Sequence, residues 1–354
     1  MKTALAAAAL IAAAGLAAAS EPAFGPLPDI RFSQFSAPPR SWVPQGGQSA
    51  PLDVQVQNQM FGVGQIFVSC GFDGQGQNCL LDTGSNVCLV KNDDFFGKYP
   101  AQGQRCSQGA SGAKVCSDLI AIADLKVGGV DFGAEAALRR TPQSCGGGDG
   151  GGGAQIPGYL VGGVWHTLLG HQVSFDFGAK TLSVDPATPA PGAQQPMKLV
   201  LDGNYLEIPV SFGGGAPVQM LYDTGAGLTV MDQSFVDANA GAFSFLADTQ
   251  ISDSSCQKIP VKIYSINSLT VAGNSLSGSY AVAMDLGPVK QALGGDLQGI
   301  IGFNAITPFN WWVDLKNGRF AASPGGSASV ASVRPVEIPR VLKLRLPSLL
   351  GGAR

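Results

Sequence analysis

Charged side chains and histidines are both scarce in this sequence. Asp, Glu, Lys and Arg make up 13% of the 354 residues, and the formal net charge of -3 gives no reason to expect binding to a nucleic acid. The two histidines, His166 and His171, lack the third ligand that a metal site normally needs. No G-x-S-x-G segment marks a serine hydrolase. We therefore expect no metal, no cofactor and no nucleic-acid partner.

Glycine, proline and phenylalanine are abundant instead. The chain has 49 Gly, 23 Pro and 18 Phe, and hydrophobic residues make up 45% of it. This composition favours a turn-rich, mostly β protein with a sizeable core over a helical one. The length fits one large domain or two of medium size.

The first residues have the pattern of an export signal. Lys2 supplies a positive charge, residues 4–15 are apolar, and the small residues Ala17–Ala19 suit a cleavage site. We predict a signal peptide over residues 1–19 and a leader rich in Pro, Ser and Gln over residues 20–50. The apolar run is too short for a membrane span. We therefore expect an exported protein, periplasmic or secreted, with no membrane span after removal of the signal.

The cysteines of an exported chain are expected to form disulfides. The chain has seven cysteines and no C-x-x-C of a zinc or thioredoxin-type site. Cys106 and Cys116 flank a short Gly/Ser-rich loop and form the best pair. Cys70 and Cys79 flank GFDGQGQN, a predicted hairpin turn, and come second. Three cysteines remain unassigned: Cys88, Cys145 and Cys256.

An internal repeat is the most informative feature of the chain. The segment LLDTGSNVCLV places Asp82 after an apolar strand, and LYDTGAGLTVM places Asp223 in the same way 141 residues later. The segment IADLKVGG begins at Ile122, and the similar INSLTVAG begins at Ile266, 144 residues later. Landmarks that recur in the same order at nearly the same offset indicate one duplicated unit.

A third landmark is a pair of apolar residues followed by glycine. It ends at Gly162 in the first copy and at Gly302 in the second, 140 residues apart. A rival segment, LLG, ends at Gly170 but leaves fewer residues before Asp176 than separate Gly302 from Asp314. We therefore prefer Gly162. Asp176 and Asp314 are interpreted as turn acids at strand ends, without a catalytic role.

The repeat defines the predicted domains. The two copies occupy residues 51–185 and 197–324, and a Pro/Ala-rich linker at 186–196 separates them. A basic tail follows at 325–354.

The repeated Asp-Thr-Gly motif suits a pair of acids that share one proton. Glycine lets the backbone turn sharply and bring amide hydrogens close to the carboxylate, and the threonine hydroxyl can bond across to the opposing loop. When two carboxyl groups lie face to face, ionising both of them costs free energy because the two negative charges repel each other. One residue type therefore supplies both an acid and a base at a single pH.

These motifs resemble those of a known family. With DTGS at Asp82, DTGA at Asp223 and the apolar-apolar-Gly segments at Gly162 and Gly302, the chain resembles the pepsin-like and retropepsin-like aspartic proteases, as an exported bacterial member. The resemblance covers both copies. It implies a mostly β, bilobal pepsin-like fold of two β-barrel-like lobes with a cleft between them.

The resemblance also implies a chemistry. Asp82 and Asp223 are expected to hold a water, one acting as general base while the other donates a proton to the scissile carbonyl of an extended peptide. It implies no metal and no covalent intermediate, and we expect a monomer. The residues expected to support the pair are Thr83, Gly84, Ser85, Thr224, Gly225 and Ala226.

Two features depart from the family pattern. The flap-like segment, residues 106–116, contains no tyrosine, so substrate clamping is expected to differ. Ala226 stands where pepsin-like enzymes usually carry a hydroxyl residue, and this makes the second motif more similar to that of the retropepsins. Because Ser85 can donate a hydrogen bond to Asp82 while Ala226 cannot do so for Asp223, we expect Asp223 to hold the shared proton and the activity optimum to be mildly acidic.

The sequence thus predicts an aspartic endopeptidase. The alternative is a catalytically silent peptide-binding protein on the same scaffold. Loss of either acid, or bulky residues in the turns, would favour this alternative, but both acids and both glycines are present.

Overall fold

The structure is a computed structural model. It describes residues 48–58, 61–108, 113–128, 130–141, 144–147, 151–155, 158–163, 165, 168–187, 192–201, 203–252, 257–293 and 295–325. The predicted signal peptide, residues 20–47 of the leader and residues 326–354 of the tail lie outside these ranges. His166, Cys256 and residues 109–112 of the flap-like segment lie outside them as well.

Strands make up most of the described chain, as predicted for a mostly β protein. They form a sheet of 13 strands, a sheet of 10 and a two-stranded ribbon. Among the described residues there are three short α-helices, and none is long and apolar enough to cross a membrane. The helices are α1 (Gln233–Ala238), α2 (Gly287–Leu293) and α3 (Phe303–Ile306).

The strands of the first part of the chain are β1 (Gln48–Asn58), β2 (Val63–Phe72), β3 (Gln75–Leu81), β4 (Cys88–Lys91), β5 (Gly103–Gln108), β6 (Lys114–Val127), β7 (Val130–Arg140), β8 (Ser144–Gly147), β9 (Gly151–Gln155), β10 (Leu160–Val161), β11 (Gln172–Asp176) and β12 (Thr181–Val184). Those of the second part are β13 (Gln195–Pro196), β14 (Lys198–Val200), β15 (Tyr205–Phe212), β16 (Val218–Tyr222), β17 (Thr229–Asp232), β18 (Phe243–Ser252), β19 (Lys258–Ile266), β20 (Leu269–Val271), β21 (Asn274–Leu276), β22 (Ser279–Met284), β23 (Gly299–Ile301), β24 (Phe309–Asp314) and β25 (Arg319–Pro324).

Both copies of the repeat have the same order of strand pairing. In the first, β3 forms a hairpin with β2 and lies parallel to β10, β10 is antiparallel to β4, and β4 is parallel to β7. In the second, β16 forms a hairpin with β15 and lies parallel to β23, β23 is antiparallel to β17, and β17 is parallel to β22. The repeat in the sequence is therefore a repeat of strand arrangement.

The apolar run before each acid belongs to a buried central strand. β3 ends in Leu80 and Leu81, and β16 ends in Leu221 and Tyr222, all of which are almost inaccessible to solvent. Continuous apolar runs are typical of strands that are covered on both faces. Each Asp-Thr-Gly segment therefore begins where a strand leaves the core.

A further set of strands joins the two copies. The hairpin of β11 and β12 ends the first copy, the hairpin of β24 and β25 ends the second, and β11 pairs with β24. Asp176 and Asp314 end β11 and β24 and accept backbone N–H bonds in the turns that follow, as predicted. The sheet therefore connects the two copies at their ends.

Two strands extend beyond the boundaries that were predicted for the two copies. Residues 48–50, predicted to belong to the leader, form the start of β1, and Ala50 is buried because it lies against Gly128. At the end of the predicted linker, Gln195 and Pro196 form β13, which pairs with β25.

Both predicted disulfides are present. Cys70 and Cys79 connect the hairpin of β2 and β3, and Cys106 and Cys116 connect that of β5 and β6. Cys88 is a free, buried thiol, and burial raises its pKa to about 12.

Replacing Cys70 and Cys79 together by alanine should lower the free energy of unfolding by about 2–3 kcal/mol, because a bridge across a loop of this length restricts the unfolded chain to that extent. Urea unfolding of the two oxidised proteins measures the difference. Under a reductant, the wild type also lacks its bridges and should unfold like the variant. Equal stability of the two proteins under oxidising conditions would contradict the bridge.

Candidate active site

The parallel strand beside each acid fixes its backbone. The N–H of Asp82 donates to the carbonyl of Val161 on β10 at 3.0 Å, and the N–H of Asp223 donates to the carbonyl of Ile301 on β23 at 3.1 Å. The two acids therefore occupy equivalent positions in the two copies.

Gly162 and Gly302 follow these parallel strands and let the acid-bearing loops pass close to them. A Cβ at Gly162 would lie 2.3 Å from the carbonyl oxygen of Val87, and a Cβ at Gly302 would lie 2.6 Å from that of Leu228. Both approaches are too close for a side chain, so both positions require glycine. The rival, Gly170, lies in a later turn, where no atom is close to its Cβ position.

Thr83 and Thr224 lock the two loops together. The N–H of Thr83 donates to Oγ1 of Thr224 at 3.1 Å, and the N–H of Thr224 donates to Oγ1 of Thr83 at 3.0 Å. Each hydroxyl also donates to a carbonyl of the other copy: Thr83 to Tyr222 at 3.0 Å, and Thr224 to Leu81 at 2.7 Å. Because both threonines are fully buried, water cannot replace these bonds.

Gly84 and Gly225 bring each carboxyl group against the opposing loop. A Cβ at Gly84 would lie 2.3 Å from Cγ of Asp223, and a Cβ at Gly225 would lie 2.5 Å from Cγ of Asp82. Any side chain at either position would displace an acid. The two carboxyl groups therefore face each other across the interlocked loops.

Backbone amides favour the charged form of each acid. Oδ1 of Asp82 accepts from the N–H of Gly84 at 3.0 Å. Oδ1 of Asp223 accepts from the N–H of Gly225 at 2.8 Å and from that of Ala226 at 3.1 Å. Both Oδ2 atoms are buried and accept no hydrogen bond from other groups in the described part of the chain, which leaves them to the opposing carboxyl.

Burial raises the pKa of both acids. Burial, the negative charge of Asp223 and the hydrogen bond between the carboxyls hold the pKa of Asp82 well above its usual range. Burial raises the pKa of Asp223 to about 6, although hydrogen bonds from Gly225, Asp82 and Ala226 favour its charged form. Since a second charge in the same buried space is costly, the pair shares one proton.

The prediction that the hydroxyl of Ser85 donates a hydrogen bond to Asp82 is wrong. The hydroxyl of Ser85 donates to the carbonyl oxygen of Val87 at 3.0 Å. The loop turns directly after Ser85 and brings this buried carbonyl, which needs a donor, within reach of the hydroxyl. The side-chain difference between Ser85 and Ala226 therefore has no direct effect on the carboxyl groups.

The two acids differ in how strongly they hold a proton, and the difference is the reverse of the expected one. The N–H groups of Ser85 and Ala226 each favour the charged form of the acid three residues earlier, but the N–H of Ser85 also donates to the backbone carbonyl of Asp82 at 3.3 Å. The hydrogen bond between the acids raises the pKa of Asp82 and lowers that of Asp223. This hydrogen bond favours the shared proton on Asp82 and the negative charge on Asp223.

Sequence reasoning missed Tyr205, which lies close to the pair. Tyr205 begins β15 and is fully buried, and the charges of Asp82 and Asp223 add to the effect of burial in raising its pKa. Arg105, on β5, acts on the pKa of Tyr205 in the opposite direction. The strand pattern gave no signal for Tyr205, because a core tyrosine would look the same. Its position follows from the pairing of β15 with β16, which ends at the residue before Asp223.

The described residues contain no group of three or more His, Cys, Asp or Glu side chains that could hold a metal ion. Nδ1 of His171 lies 2.8 Å from a carboxylate oxygen of Asp185, far along the chain from either Asp-Thr-Gly loop. The arrangement at Asp82 and Asp223 suits acid–base chemistry by two carboxyl groups alone.

Replacing Thr83 or Thr224 by valine should lower the free energy of unfolding by about 2–4 kcal/mol, because each change leaves a buried N–H and a buried carbonyl without a partner. Chemical denaturation measures the loss. The matched control is Thr307→Val, since Thr307 is also buried but its hydroxyl bonds a carbonyl that already accepts from a backbone N–H. This control should cost less than about 1 kcal/mol. Equal losses at all three positions would contradict the special role of the interlock.

Comparison with known proteins is consistent with this geometry for part of the chain. Residues 208–305, which contain Asp223, Thr224, Gly225 and Gly302, match the model of a family described as Aspartyl protease. The match covers under a third of the chain, and Asp82 lies outside it. No curated protein matches the chain. Residues 208–305 thus support an aspartic protease family for this protein.

Proposed function

We propose that this protein is an aspartic endopeptidase that cleaves peptide bonds with a water activated by Asp82 and Asp223. The observation that carries the proposal is the buried pair of carboxyl groups on interlocked loops, both with raised pKa values. Burying two acids together destabilises a fold, so such a pair is expected where its chemistry is used.

We further propose the bilobal, pepsin-like arrangement of this fold. The repeated order of strand pairing supports it, as does the position of one acid in each copy. In this arrangement each copy is a β-barrel-like lobe, and the peptide lies in the cleft above the junction of the two loops. An extended peptide leaves its backbone groups free to pair with strand edges on both sides.

The proposed reaction uses the asymmetry of the pair. Ionised Asp223 removes a proton from the water, whose oxygen bonds to the scissile carbonyl carbon, while Asp82 donates its proton to the carbonyl oxygen. The tetrahedral diol collapses when Asp82 takes back a proton and Asp223 gives its proton to the amide nitrogen. The C–N bond breaks, and the pair returns to its starting state without a covalent intermediate.

The location and assembly follow from the same features. Two disulfides and the apolar segment after Lys2 support export to the periplasm or the medium. One chain supplies both acids, so the active unit is a monomer, and its partner is a protein or peptide substrate.

Asp82→Asn and Asp223→Asn should each lower kcat/KM by at least about 10³-fold, because one step needs both the acid and the base. Mass spectrometry of a diverse peptide mixture identifies substrates, and circular dichroism checks the fold. Asp176→Asn is the matched control and should retain activity, since Asp176 accepts a hydrogen bond in a turn at a strand end. Substantial turnover by either folded variant would contradict the mechanism. Binding without cleavage by the wild type would favour a silent peptide-binding protein.

The pH profile should be bell-shaped, with a rising limb at an apparent pKa of about 6, where Asp223 ionises. At lower pH both acids are protonated and no base is present. At higher pH the pair loses its remaining proton from Asp82, and the acid is lost. Measurement of kcat/KM against pH on one identified peptide tests this. An activity that falls steadily from strongly acidic pH, with no rising limb near that value, would contradict it.

A further inference from the structure

Asn304 uses every hydrogen-bonding atom of its side chain inside the second copy. It lies on α3, two residues after Gly302, and is buried. Its Oδ1 accepts from the N–H of Thr229 at 2.8 Å and from the hydroxyl of Thr229 at 2.9 Å. Its Nδ2 donates to Oγ of Ser279 at 2.9 Å and to the carbonyl of Tyr280 at 2.8 Å. A carboxamide can donate two hydrogen bonds and accept two, so the side chain of Asn304 is fully used.

These bonds connect α3 to two neighbouring strands. Thr229 ends the loop that begins at Asp223 and starts β17, and Ser279 starts β22, which lies parallel to β17. The hydroxyl of Thr229 also accepts from the N–H of Gly302 at 3.3 Å. Because Thr229 and Asn304 are both buried, water cannot replace a lost partner. Asn304 therefore fixes the start of α3 to the sheet.

The chain holds the loop of Asp223 at three points. The carbonyl of Ile301 accepts from the N–H of Asp223 at 3.1 Å, and the N–H of Phe303 donates to the carbonyl of Ala226 at 2.8 Å. The bonds of Asn304 to the end of the loop are the third point. All three come from the four residues that lead from β23 into α3. This segment therefore sets the path of the loop.

The same loop supplies the amide donors of Asp223. Oδ1 of Asp223 accepts from the N–H of Gly225 at 2.8 Å and from that of Ala226 at 3.1 Å. Such bonds favour the carboxylate, but only while both N–H groups point at the same oxygen. Since the carbonyl of Ala226 is bonded to α3, a shift of α3 would displace Ala226 as well. The direction of the donors therefore depends on how firmly α3 is held.

The first copy holds its acid-bearing loop by two equivalent bonds. The N–H of Asp82 donates to the carbonyl of Val161 at 3.0 Å. The N–H of Gly163 donates to the carbonyl of Ser85 at 2.6 Å, and this bond is the counterpart of the one from Phe303. The two copies are therefore alike at these two points.

The third point differs between the copies. Cys88 precedes Thr229 by the same 141 residues that separate the two acids, and its thiol donates to the carbonyl of Gly162 at 3.6 Å, which is a weak bond. The residue 140 positions before Asn304 is Val164, whose side chain can form no hydrogen bond. The carboxamide therefore supports the loop of the second acid and has no equivalent at the first.

We propose that Asn304 is a positioning residue of the acid pair, which keeps the amide donors of Asp223 directed at its carboxylate. The inference deepens the proposed function and rests on it for the effect on catalysis. Asn304 bonds neither acid and acts through Thr229 and α3. By fixing the loop in one copy alone, it keeps Asp223 rather than Asp82 as the base.

The test uses two changes that loosen this arrangement. Asn304→Leu removes all four bonds of the carboxamide. Thr229→Val removes only the hydroxyl that bonds Asn304 and Gly302, and it decides the test if the first variant does not fold. Thr229→Ser restores the hydroxyl. Thr307→Val is the matched control, since Thr307 directly follows α3, is fully buried, and donates its hydroxyl to the carbonyl of Phe303.

The readout is the titration of the Asp223 carboxyl carbon, followed by ¹³C NMR in each folded variant. In Asn304→Leu and Thr229→Val the apparent pKa of Asp223 should rise by about half a unit or more, because donors that favour the carboxylate are displaced. Thr229→Ser and Thr307→Val should titrate like the wild type. An unchanged titration in folded Thr229→Val, or an equal shift in Thr307→Val, would overturn the proposal.

Kinetics separate this inference from the proposed function. On one identified peptide, Thr229→Val should lower kcat about threefold or more on the acidic side of the optimum and leave KM unchanged, because the base is affected and binding is not. A shifted titration in a protein that cleaves no peptide would support the role of Asn304 and contradict the peptidase alone. Cleavage by a Thr229→Val variant whose titration is unchanged would contradict the role of Asn304 alone.

Discussion

The exchange of hydrogen bonds between Thr83 and Thr224 is the constraint on which the site depends. It joins two loops that are 141 residues apart, and it uses the same backbone and side-chain groups from each. With the loops held in this way, the glycines at 84 and 225 lie against the opposing carboxyl groups, and no side chain fits there. The strand pairing of each copy brings its loop to the junction, and the threonines fix the distance between the acids.

This arrangement opposes the stability of the fold. Both acids are fully buried, and burial is the largest effect on the pKa of each. The folded protein therefore binds a proton that the unfolded chain releases at lower pH, and stability falls as the pH rises through the raised pKa values. The buried aromatic cluster around Tyr222 and the pairing of β11 with β24 join the same two copies and oppose this loss.

The sequence predicted those parts of the site that are marked by a short local motif. Asp82 and Asp223 stand out because an apolar strand precedes each and a glycine follows two residues later, and the two predicted disulfides follow from cysteines that flank short turns. The predicted role of Ser85 was wrong because its hydroxyl has several acceptors within reach. The geometry of the turn, which the sequence does not specify, makes the carbonyl oxygen of Val87 the acceptor. Tyr205 could not be predicted, since it reaches the site only through the pairing of β15 with β16.

The central claim is that Asp82 and Asp223 act as one coupled pair with a shared proton. The most direct test is ¹³C NMR of the side-chain carboxyl carbons in protein labelled at aspartate, followed against pH, with the two signals assigned from the Asn variants. We expect two linked steps, one with an apparent pKa of about 6 and one above it, and we expect the upper step to disappear in Asp82→Asn. Two independent titrations near the ordinary aspartate value of about 4, unchanged when the partner is replaced, would contradict the account.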